Sequence, residues 1–144
     1  SKELVIENQT NDENYVVPSQ LTQWPIQLHL VSPVAQYYRN TDFLLAADCC
    51  AFSYGNFHND FIKGKSIAIA CPKLDSNKQI YLDKLVVMLK ESKLNSINVT
   101  IMQVPCCRGL AQLAIQAREL SEEDVPIYVT TIGVNGEILE TTEI

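Results

Sequence analysis

The chain has 144 residues, 47% of them hydrophobic and 19% charged, with a formal net charge of −6. That length and composition fit one ordinary domain and exclude a disordered, fibrous or linker protein. An acidic chain without a Lys/Arg cluster is a poor match for a phosphate backbone, so no nucleic acid is expected as a partner. No apolar run reaches the roughly 20 residues that span a bilayer, so no membrane is expected either.

Residues 1–20 are rich in Asn, Gln, Asp and Glu and lack both periodicity and a secretory apolar core. They read as a polar tail or interdomain linker, and residues 21–144 as a single α/β domain. The expected setting is cytoplasmic, with the chain either whole or cut from a longer protein. Ile26–Val31 alternates and then runs apolar, which predicts a strand stopped by Ser32-Pro33. Pro33 to Tyr38 predicts a short helical turn. Phe43-Leu44-Leu45-Ala46-Ala47 has the continuous apolar character of a strand buried on both faces. Phe52, Phe57, Phe61 and Ile62 are spaced for a short helix ending at Lys63-Gly64-Lys65.

Ser66–Ala70 predicts a second buried strand. Asp75 or Ser76 can cap the following helix, whose apolar stripe is Ile80, Leu82, Leu85, Val86 and Leu89. Ile97–Val104 predicts a third strand, and Leu110, Leu113, Ala114, Ala117 and Leu120 a third helix. Ile127–Ile132 is a strand rich in β-branched residues. Asn135-Gly136 predicts a type I′ hairpin into a last antiparallel strand over Glu137–Glu140. Strands alternating with helices define a three-layer α/β fold. Its mainly parallel sheet has helices on both faces, Rossmann-like or flavodoxin-like, and it closes with a C-terminal antiparallel hairpin.

The cysteines carry the functional signal. Cys49 and Cys50, Cys71, and Cys106 and Cys107 follow three successive predicted strands. The carboxyl ends of parallel strands share one edge, where open α/β folds bind ligands. Four thiolates at such an edge suit an iron–sulfur cluster or, alternatively, zinc, although no C-x₂-C spacing is present. Cys106 and Cys107 open a predicted helix, whose N–H groups and dipole favour a thiolate, and Lys73 and Arg108 add positive charge nearby. A thiol redox enzyme or sulfur carrier using Cys106 or Cys107 is therefore a second reading, with His58 as proton donor. His58 is also a candidate metal ligand. A non-catalytic domain that docks a ferredoxin or reductase is a third. His29 reads as structural, and Asp48 as either a ligand-orienting group or a helix cap. No G-x-G-x-x-G, Walker A or G-x-S-x-G pattern occurs, so dinucleotide binding, nucleoside-triphosphate binding and serine hydrolysis have no sequence support.

Five blocks occur here in a recognisable order: Gln23–Val31, Ala46-Ala47-Asp48-Cys49, Gly55-Asn56-Phe57-His58 with Phe61–Lys65, Cys71-Pro72-Lys73-Leu74-Asp75, and Val104-Pro105-Cys106-Cys107. Over residues 19–140 the chain resembles the C-terminal domain of poorly characterised ferredoxin-like (4Fe-4S) iron–sulfur proteins of anaerobes. The resemblance implies an iron–sulfur or redox context, with a ferredoxin domain in the same or another chain as partner. It points to Cys49, Cys71, Cys106 and Cys107 as the cofactor or metal ligands, and it also covers His58. Two positions depart from the family pattern. Cys50 stands where an apolar residue is common, and Arg108 stands where glycine is common.

Overall fold

The computed structural model describes residues 16–144, so most of the expected N-terminal tail, residues 1–15, lies outside the described residues. The two continuous apolar runs become strands β1 (Asp42–Ala47) and β2 (Ser66–Ala70). Both are buried along nearly their whole length, which is why neither shows the alternation of a half-exposed strand. Strands β3 (Ser96–Met102), β4 (Ile127–Ile132) and β5 (Ile138–Glu143) complete one sheet in the order β2-β1-β3-β4-β5. The first four strands are parallel, and β5 returns antiparallel to β4.

Two long helices, α2 (Lys78–Glu91) and α3 (Arg108–Ser121), make the crossovers β2→β3 and β3→β4 and pack against each other. The crossover β1→β2 travels the other way along the sheet, so right-handedness places it on the opposite face. It contains helix α1 (Cys50–Ser53) and a π turn at His58–Ile62. The single helix expected over Phe52–Ile62 is thus divided. Asp60 fastens the break by accepting from Asn56 Nδ2 (2.9 Å) and from the Tyr54 hydroxyl.

The expected strand at Ile26–Val31 is a single bridge between Gln27 and Ile69, followed by a turn. Its role is to close the outer edge of β2. Ile69 N–H donates to Ile26 O (2.8 Å), and Leu28 N–H donates to Ile69 O (2.9 Å). One pleat earlier, Ile67 N–H donates to Gln23 Oε1 (2.8 Å), while its carbonyl accepts from Tyr38 Oη and Gln23 Nε2, each at 3.0 Å. An edge that would otherwise invite another chain is therefore satisfied from within. Lys84 ends the segment as a strand by gathering the carbonyls of Leu28, His29 and Val31 at 2.8–2.9 Å.

Two more local expectations are corrected. Helix α2 starts after Asn77, in the left-handed conformation, because the Asp75 carboxylate is engaged elsewhere. Its buried face is Tyr81, Leu82, Leu85, Met88 and Leu89, and Ile80 is exposed. At the β4–β5 turn only Gly136, with φ +88°, is left-handed; Asn135 is not. Gly136 N–H donates to Gly133 O, and Gly133 N–H donates to Glu137 O. That is a type I turn with a glycine bulge rather than type I′. The core centres on Tyr38, Phe43, Tyr81, Leu85, Leu110 and Ile127, all fully buried between the sheet and its coverings. Among the described residues no helix is long and apolar enough to cross a membrane.

Candidate functional site

β1 and β3 are neighbours whose onward connections leave over opposite faces of the sheet. The crevice beyond their carboxyl ends is the topological switch point of the fold. β1 is followed by Asp48 and Cys49, and β3 by a 3₁₀ turn at Pro105–Cys107. β2, on the other side of β1, is followed by Cys71. A cavity of about 210 Å³ opens there, and Cys49, Cys71, Cys106 and Cys107 all line it. Asp48, Pro72, Met102 and Val104 also contribute to its wall. The thiols are all free. Cys49 and Cys106 are exposed at the mouth, Cys71 is half-buried, and Cys107 is buried.

The loop after β2 is tied in both directions. Cys71 N–H donates to Asp75 Oδ2 (2.8 Å), and Asp75 N–H donates to Cys71 O (2.9 Å). The Cys71 sulfur accepts from Leu74 N–H at 3.4 Å. Asp75 Oδ2 also accepts from Gln27 Nε2 (3.3 Å) and from the Tyr81 hydroxyl. Burial pushes the Asp75 carboxyl up, but the bonds from Tyr81, Cys71 and Gln27 outweigh it and hold the group below its ordinary value. Sequence reasoning offered Asp75 as a helix cap or, with Lys73, as part of an anion-positioning loop, and missed this network. Gly109 fits the start of α3 to the same loop, because a Cβ there would lie 3.3 Å from Pro72 Cβ.

The fifth cysteine is separate. Cys50 is fully buried and does not line the cavity. Burial pushes its thiol up to about 12. Adjacent residues on a helical turn point roughly 100° apart, so Cys49 reaches the rim while Cys50 enters the core. Cys107 precedes α3 as expected, but burial raises its pKa, aided by the nearby thiols of Cys106 and Cys49, against a lowering bond at Met102. The thiolate-favouring effect expected of the helix start does not prevail at Cys107.

His58 is not brought to the thiols. It lines a second cavity, and its Nδ1 accepts from Gln20 N–H at 3.1 Å. His29 is structural, with Nε2 2.9 Å from Ser76 O and its ring 4.3 Å from that of Tyr81. Lys73 and Arg108 do not line the thiol cavity; Arg108 borders a neighbouring one beside Gln103 and Glu140. Asp48 caps no helix. Its N–H donates to Ala70 O (3.1 Å), and its Oδ1 is buried without a partner. Burial and then the charge of Asp75 raise its pKa. Among the described residues, no three His, Cys, Asp or Glu side chains gather as ligands of a single metal ion.

Sheet, crossovers and a ligand-sized crevice at the switch point define an α/β domain of the doubly wound type. Residues 35–144 match the Rossmann-like domain family, and the chain belongs to that family. It is 29% identical over 101 residues to an uncharacterised protein of Archaeoglobus fulgidus, a match covering 69% of each chain. No solved structure matches it.

Proposed function

We propose that the protein is an iron–sulfur redox module in which Cys49, Cys71, Cys106 and Cys107 hold a cluster at the switch point. The observation that carries this reading is that four of five cysteines, drawn from three crossovers, line one cavity while the fifth is turned into the core. The cavity is smaller than the roughly 300–1,000 Å³ typical of pockets for organic ligands, so a compact inorganic group suits it better than a flavin or dinucleotide. No Lys or Arg lines it to receive a phosphate. Four cysteine thiolates are the usual donor set of a cubane cluster. Among the described residues no three such side chains are placed to share one metal ion, so a group with several metal atoms, each taking one thiolate, suits the four lining cysteines better than a single tetrahedral zinc.

When bound, such a group supplies one-electron transfer. The chain's own residues would hold and shield it. The Leu74 N–H on the Cys71 sulfur fixes one ligand and lowers the charge on it. Pro72, Met102 and Val104 exclude water from the inner wall. The exposed thiols of Cys49 and Cys106 put the mouth at the surface, where a ferredoxin domain of the kind found in the family this chain resembles can approach. Two observations weigh against the thiol-enzyme reading: the Cys107 thiol is raised by burial, and His58 lies in another cavity. Anaerobic purification followed by iron and sulfide analysis tests the proposal. Stoichiometric iron and sulfide are expected, and a folded, reduced protein that contains neither and takes up neither would overturn it.

A further inference from the structure

The neighbouring cavity that Arg108 borders measures about 350 Å³ and lies on the sheet face that α3 covers. Cross-strand partners point to the same side of a sheet. The register pairs Ile101 with Thr131, Thr131 with Glu140, and Val129 with Thr142, so these five side chains form one floor. Helix α3 packs over β3 and β4, while β5 lies beyond it and is exposed along its length. The floor therefore stays open beside the first turn of α3, where Arg108 stands. Gln103, Met102 and Val104 complete the wall. Among the described residues, Arg108 and Glu140 are the only charged side chains that line it. They come from different elements and do not pair with each other, since the one ion pair among the described residues is Lys93 with Glu123.

We propose that this cavity binds a small α-amino acid with an apolar side chain, its carboxylate held by Arg108 and its ammonium by Glu140. The planar guanidinium matches a carboxylate and can donate two parallel hydrogen bonds to it. A simple anion drawn to Arg108 also meets Glu140, and a simple cation drawn to Glu140 also meets Arg108. A molecule that carries both charges gains from both residues. Ile101, Val129 and Val104 offer apolar surface to its side chain, and the Thr131 and Thr142 hydroxyls and the Gln103 amide offer hydrogen bonds to its polar end. The volume falls at the lower end of the roughly 300–1,000 Å³ usual for organic ligands, which limits the guest to a small molecule. Met102 and Val104 also line the thiol cavity, so the two sites share a wall, but recognition here uses no cysteine and does not depend on a cluster.

The test is titration of L-leucine, isopentylamine and isocaproate into the full chain, followed by NMR on the methyl groups of Ile101 and Val129. The amine is leucine without its carboxylate, and the acid is leucine without its ammonium. Leucine should saturate with shifts at these methyls and bind about tenfold or more tightly than either analogue. Arg108→Gln should bring leucine down to the affinity of the amine, and Glu140→Gln should bring it down to that of the acid. Both positions are exposed, so both variants should fold. Thr142→Trp, on the exposed strand β5, should fill the cavity and abolish binding. Absence of leucine binding, equal affinity for all three compounds, shifts confined to other residues, or wild-type leucine affinity in Arg108→Gln or Glu140→Gln would each overturn the proposal. No variant touches a cysteine, so failure here leaves the cluster reading standing, and loss of the cluster reading leaves this one intact.

Discussion

Cys71 and Asp75 hold each other across a single turn: the Cys71 N–H donates to the Asp75 carboxylate, and the Asp75 N–H donates to the Cys71 carbonyl. The turn fixes one thiol of the candidate site and roots it in the core, because the same carboxylate accepts from the fully buried Tyr81. Asp75→Ala would leave the Tyr81 hydroxyl and the Cys71 N–H without their acceptor. The expected loss is about 2 kcal/mol, read from urea unfolding. The folded-state pKa of Asp75 is below its ordinary value of 3.8, so its contribution is complete above that value and is lost as pH falls through the folded-state value. The stability difference between wild type and Asp75→Asn should therefore shrink below about pH 4.

Gln23 serves the outer edge of β2 with its side chain alone, accepting from Ile67 N–H and donating to Ile67 O. Gln23→Ala would strand a buried backbone N–H. A loss of about 2 kcal/mol is expected, with Gln23→Glu also destabilising because a carboxylate cannot donate to the carbonyl. Equilibrium unfolding measures both, and faster hydrogen exchange at Ile67 would locate the effect.

Gly136 joins the β4–β5 hairpin to α1. Its φ of +88° disfavours any side chain, and a Cβ there would meet the Ser53 carbonyl oxygen at 2.9 Å. Gly136→Ala should cost about 1–2 kcal/mol. The disturbance should spread to α1, seen as loss of exchange protection at the Ser53 and Tyr54 amides, which close on Cys49 and Cys50.

Four of the five thiols should separate by reactivity in the reduced, metal-free chain. Iodoacetamide at pH 8 should label exposed Cys49 and Cys106 first. Cys107, buried and raised, should follow slowly, and Cys50, raised to about 12, should resist until the protein unfolds. Mass spectrometry of the modified peptides gives the order. Because the folded Cys50 thiol lies above its unfolded value, ionisation of the unfolded chain costs the fold stability increasingly as pH rises past about 9.

The sequence-based reading succeeded where one physical cause dominated. The apolar runs of β1 and β2 and the β-branched run of β4 are determined by burial alone, and their order implies the parallel sheet. Parallel strands then align their ends, so a shared edge for Cys49, Cys71, Cys106 and Cys107 followed from topology without any knowledge of side-chain direction. It failed where distant partners decide. The alternation at Ile26–Val31 resembles a strand, but Lys84, more than fifty residues away, draws its carbonyls into a turn. Nearness in sequence linked His58 to the first cysteine pair, while the π turn carries it to the other cavity. Asp75 looked like a cap because nothing local reveals that Tyr81 and Gln27 converge on it.

The central claim concerns which sulfurs act together, and comparative reconstitution tests it most directly. The wild-type chain and its five single Cys→Ser variants are treated anaerobically with ferrous iron and sulfide, and bound iron is counted after desalting. The account predicts about four iron atoms in the wild type and in Cys50→Ser, with marked loss in Cys49→Ser, Cys71→Ser, Cys106→Ser and Cys107→Ser. Equal loading in all six proteins, or loss confined to Cys50→Ser, would contradict it.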